Sequence, residues 1–113
     1  MAEEQAIQGA LTLWQIEPVL DPADDAWQDR AIWSGIVVAA ESPAFARLAA
    51  ERRALSAPWI PVGNESESRR AGLNDEKLYR VLALPEEQRA AYPKNLRPGE
   101  ILSMRVLHPP RRR

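Results

Sequence analysis

One histidine, sixteen carboxylates and two tyrosines are what this sequence offers for acid, base or metal chemistry. It has no cysteine, which removes disulfides, thiolate metal sites and cysteine nucleophiles. The histidine, His108, opens the terminal run His108-Pro109-Pro110-Arg111-Arg112-Arg113. A general base must be held within hydrogen-bond reach of its proton, and a proline-flanked tail is poor ground for a Ser-His-Asp triad. A zinc site built from several histidines is out of reach, and only carboxylates around a hard cation remain. The acids Asp21, Asp24, Asp25 and Asp29 lack the spacing and the glycine of an EF-hand loop. They read as a solvated acidic loop, or as a face whose field would attract a basic partner. The five glycines, at positions 9, 35, 63, 72 and 99, make neither G-x-G-x-x-G nor a P-loop. We therefore expect no catalytic residue, no metal and no cofactor.

The remaining chemistry is that of recognition. Four tryptophans, Trp14, Trp27, Trp33 and Trp59, are many for 113 residues. Tryptophan is an efficient core residue in a small domain and is also enriched at interface hot spots. Trp14 and Trp33 lie in apolar runs and belong to the core. Trp59 sits in Pro58-Trp59-Ile60-Pro61, a stiff segment that presents a large ring at low entropic cost, although the ring could also fold back over the core. With Ile60, the nearby Arg69 and Arg70 as a charged rim, and Trp27 as a second aromatic, it forms the expected partner-binding surface.

Arginine outnumbers lysine by 13 to 2, and charge is unevenly placed. Residues 1–46 carry eight acids against Arg30 alone, a net of −7, and residues 47–113 carry fourteen bases and eight acids, a net of +6. Arginines of the second half suggest phosphate contacts, but a pI near 5.9 and the absence of an RNP, zinc-finger or basic-zipper pattern speak against a nucleic-acid footprint.

The elements that must position these residues follow from periodicity. Residues 11–17 have strand content, with Leu11 and Leu13 on one face and Trp14 and Ile16 near the other, and Pro18 should end them. Residues 18–29 form a connection anchored by Trp27. The run Ala31–Ala40 is nearly continuously apolar and suits a central strand buried on both faces, with Gly35 marking a bulge or the close approach of another backbone. Ser42 and Pro43 start a helix over 43–55, whose stripe of Phe45, Leu48, Ala49 and Leu55 should face the sheet, with Arg47, Glu51 and Arg53 around the other side. Residues 56–72 read as a long polar loop. Over 74–84 the start signals Asn74, Asp75 and Glu76 favour helix, although Leu78–Leu84 would also serve as a strand. A short helix follows at 85–92. Residues 101–107 alternate as a strand, with Leu102, Met104 and Val106 inward.

These readings predict an α+β fold: a small, mainly antiparallel sheet of three to four strands, one main helix at 43–55 packed on one face, and one or two shorter helices. One domain is expected over 10–107, between a flexible N-terminus at 1–9 and a mobile Pro/Arg tail at 108–113. No apolar run reaches the 18 or so residues of a membrane span, and the acidic Met1–Ala6 is unlike a signal peptide, so the reading is cytoplasmic. The function expected first is a non-enzymatic protein-protein interaction domain, accessory, regulatory or inhibitor-like. Its partner would be another protein of unknown identity, and a homodimer through an exposed sheet edge is possible. The alternatives are a nucleic-acid binder using the Arg-rich C-terminal half, or a small enzyme or ligand carrier using carboxylates with Tyr79 or Tyr92.

Overall fold

A computed structural model describes residues 11–27, 31–56 and 71–108. Strand β1 (Thr12–Pro18) is followed by a single 3₁₀ turn at Asp25–Trp27, strand β2 (Ile32–Ala40), helix α1 (Pro43–Leu55), strand β3 (Tyr79–Ala83), a one-turn helix α2 (Glu86–Arg89) and strand β4 (Ile101–His108). The four strands form one antiparallel sheet in the order β3-β1-β2-β4. This is an α+β fold with one main helix, as the sequence implies.

The apolar run of β2 takes an inner position, with Trp14 opposite Val38 on one side and Val38 opposite Ile101 on the other. Its alternation is interrupted at Gly35, which adopts φ +59°. Between Ser34 and Val37 the chain gains one residue on β4, so Gly35 forms a bulge. Side-chain parity flips there, which lets Trp33 and Ala31 share one cluster with Ile36, Val38 and Ala40. On β4 the compensating extra residues are Leu102 and Leu107. This corrects the simple alternation expected of that strand: Met104 and Val106 pack with Ile101 on the α1 side, whereas Leu102 packs with Leu13, Val37 and Ala39 on the opposite face. The ladder also runs one residue further than predicted at each end of the sheet, since Pro18 pairs with Tyr79 and His108 with Ile32.

The two faces are covered differently. On one, α1 and the loops lie over Ile16, Ile32, Trp33, Ile36 and Val38. On the other, residues 84–100 fold back so that Leu84, Tyr92 and Leu96 cap Leu13, Val37 and Ala39. Two backbone bonds fasten that return, Gly99 N–H to Ala39 O at 2.6 Å and Ala39 N–H to Glu100 O at 3.0 Å.

Where the start signals favoured a helix over 74–84, the structure has turns up to Leu78 and then strand β3 at Tyr79–Ala83. Asp75 does begin a turn: its N–H bonds Gly72 O and its Oδ1 accepts from Lys77 N–H at 2.8 Å. The turn closes after Leu78 because a tertiary arrangement outweighs local propensity. Tyr79 is fully buried, its ring meets Trp27 edge-on with centroids 5.3 Å apart, and its hydroxyl accepts the Trp33 N–H at 3.0 Å. The residues that follow pair with the outer edge of β1.

Candidate functional site

Helix α1 starts as its sequence dictates. Ser42 is extended (φ −154°, ψ 164°), its Oγ accepts the Phe45 N–H at 3.2 Å, and Pro43 takes the first turn. Its rotation about its own axis is the surprise. The face against the sheet is Ala46, Ala50 and Ala54, all with no exposed surface; of the expected stripe the partly buried Ala49 and Leu55 do pack against this core, whereas Phe45 and Leu48 are turned outward. Three alanines one turn apart allow the helix to sit close to the strands, where bulkier side chains would hold it off.

A polar clamp fixes this rotation. Glu51, a buried side chain, accepts N–H bonds from Ala71 at 2.9 Å and Leu73 at 3.0 Å. Arg47, one turn earlier, donates to Leu73 O at 2.8 Å and Tyr79 O at 3.0 Å. These two charged residues therefore hold the approach to β3 against the helix, and they do not face solvent as the periodicity suggested. Charged side chains at hydrogen-bonding distance from buried backbone groups outweigh the gain from burying Phe45.

The consequence is an apolar outer face. Phe45 is 56% exposed and Leu48 37%. They lie with Ala49 and Arg52 along one wall of a surface groove of about 340 Å³, whose other wall is Pro98 and Gly99 and whose end is marked by Glu41. Gly99 has φ +84°, and the turn it closes is braced by Glu100, whose Oε1 accepts the Arg97 N–H at 3.0 Å. A second, more polar concavity of about 580 Å³ lies beyond the same turn, beside Asn95 and Arg97.

Of the residues expected to bind a partner, Trp59, Ile60, Arg69 and Arg70 lie outside the described residues. Trp27 does not stand on a surface: it is 2% exposed, with its Nε1 donating to Asp21 O at 2.9 Å. Its indole is held between that carbonyl and Tyr79, which leaves no ring surface for a partner. Asp21 and Asp24 each turn an Oδ1 onto a backbone N–H, of Ala23 and Ala26, both at 2.8 Å. Among the described residues no three carboxylate or histidine groups come together as a metal site would require. Among the same residues no helix is long and apolar enough to cross a membrane. The candidate residues missed in the sequence are Phe45 and Leu48, assigned there to the core. The signal against that assignment was the competing stripe of Ala46, Ala50 and Ala54 at i, i+4 and i+8. No family model, curated protein or solved structure matches this chain.

Proposed function

We propose that this chain is a non-enzymatic protein-protein interaction domain whose docking surface is the outer face of α1 together with the 97–100 turn. The observation that carries the reading is the exposure of Phe45, at 56%, on a helix whose opposite face is fully buried. A large ring next to Leu48 and a shallow groove is the composition of an interface centre, where aromatic anchors flanked by arginine carry most of the binding energy. The groove is open and holds a single acid and a single base, which suits a protein surface better than a small substrate that needs burial and converging polar groups. Trp59, Ile60, Arg69 and Arg70, which lie outside the described residues, remain in the proposal as partner-binding residues. Trp27 does not.

A photoreactive phenylalanine analogue at position 45, compared with one at Leu82, tests it. Leu82 is also exposed, at 40%, but lies on β3 and outside the groove along α1. Irradiation of the protein in its native cell should give one discrete adduct from position 45, lost when Leu48→Glu is added, and none from position 82. Equal labelling from both positions, or an adduct indifferent to Leu48→Glu, would reject the docking surface.

A further inference from the structure

Resting on that reading, we propose that the groove along α1 is filled by α1 of a second copy of this chain, packed antiparallel across a two-fold axis. The inference comes from the order of residues along the groove. Glu41 stands before the helix, Phe45 in its first turn, Leu48 and Ala49 at its middle, and Arg52 toward its end. An acid at one end and a base at the other, with apolar residues between, is self-complementary when two such stripes run in opposite directions, which is the requirement of an isologous interface.

An axis passing between Leu48 and Ala49 sets Leu48 against Ala49 of the second copy, and Phe45 against its Arg52. Alanine at the crossing lets two helices approach to the short end of the usual ~8–10 Å interaxial range. Arginine over the face of a phenylalanine is a favourable pairing, stronger once water is excluded. Glu41 then points along the end of the opposing helix, within reach of the long side chains of Arg52 and Arg53. Among the described residues, none of these three charges is engaged in an ion pair, the one observed there being Arg80 with Glu17. The Pro98-Gly99 wall adds a second strip on each side of the axis.

The sheet edge is the weaker route to a dimer. Strand β4 is eight residues long, but the extra residues Leu102 and Leu107 break its ladder, and Arg105 is exposed. Bulges and charges of this kind are the means by which edge strands avoid pairing with a second chain. Strand β3 has only five residues.

Sedimentation equilibrium of the full chain over a wide concentration range is the test. The weight-average mass should rise toward twice that of the monomer, and Phe45→Glu should raise the dissociation constant by about tenfold or more. Charge reversal gives the sharper result. Glu41→Arg alone and Arg52→Glu alone should each weaken association, because each places like charges together at both ends of the two-fold. An equimolar mixture of the two variants should restore it, because every Glu41–Arg52 contact again pairs opposite charges. A chain monomeric at all concentrations overturns the inference. So does a dimer that Phe45→Glu leaves intact, or a mixture no tighter than its components. If the chain is monomeric yet the photoreactive analogue at position 45 labels a different protein, the docking surface stands and only the second copy as its occupant is lost.

Discussion

Among the described residues, Glu51 is the charged side chain withdrawn from water, 8% exposed, and it serves two backbone donors at once. Among the described residues, Glu51 is the acceptor for both the Ala71 and the Leu73 N–H, and both residues are buried. Removing the carboxylate leaves two buried donors unsatisfied, so Glu51→Ala should lower the unfolding free energy by about 2–4 kcal/mol. Glu51→Gln keeps one carbonyl oxygen and should lose roughly half as much. Urea titrations of the two variants check the ordering, and a loss under about 0.5 kcal/mol for Glu51→Ala would mean that the clamp does not hold the approach to β3. Arg47 carries the same logic with the sign of its partners reversed, since it donates to two backbone carbonyls, Leu73 O and Tyr79 O.

At the scale of the element, α1 has two stripes with opposite tolerances. Ala50 has no exposed surface, so Ala50→Leu must push the helix off the sheet or force strained rotamers, and should cost about 2 kcal/mol or more. Leu48→Ala removes a side chain that is already 37% exposed, and should cost under about 1 kcal/mol. Thermal melts of this pair separate the observed rotation from the one periodicity favoured, which predicts the reverse order. The boundaries of α1 were legible because caps are local: Ser42 and Pro43 announce the start without reference to anything distant. So was the division of β1, with Trp14 and Ile16 on the α1 side and Leu13 on the other. The rotation of α1 was not legible, because it depends on backbone groups of residues 71–79, twenty or more positions away. For the same reason the segment that holds β3 read as helix or strand, with its start signals favouring helix. Its local start signals are genuine and make the turn at Asp75, but what decides its conformation is the free edge of β1 and the pocket for Tyr79. Gly35 marked a bulge or a close backbone approach, of which the register shift shows the bulge, whereas the extra residues Leu102 and Leu107 had no local mark. The candidate site inherits this limit, since a stripe of Phe45 and Leu48 looks the same whether it faces a sheet or water.

At the scale of the whole molecule, the strand order β3-β1-β2-β4 puts the longest apolar run at the centre and the two strands of the second half outside. Opening an outer strand breaks one ladder, while opening β1 or β2 breaks two. Amide hydrogen exchange should therefore be slowest in β1 and β2 and faster by about tenfold or more in β3 and β4. Uniform protection across all four strands would instead indicate one all-or-none unit. The same order has a consequence for synthesis. A ribosome delivers β1, β2 and α1 first, and at usual elongation rates roughly 3–10 s pass before residues 79–108 exist to cover either side of the hairpin. During that interval α1 can settle on one face, because it is local to β2, but the outer ladder groups of both β1 and β2 stay uncovered. The hazard of misassociation thus belongs to translation more than to the finished protein, and codons that slow elongation between residues 56 and 108 would lengthen it.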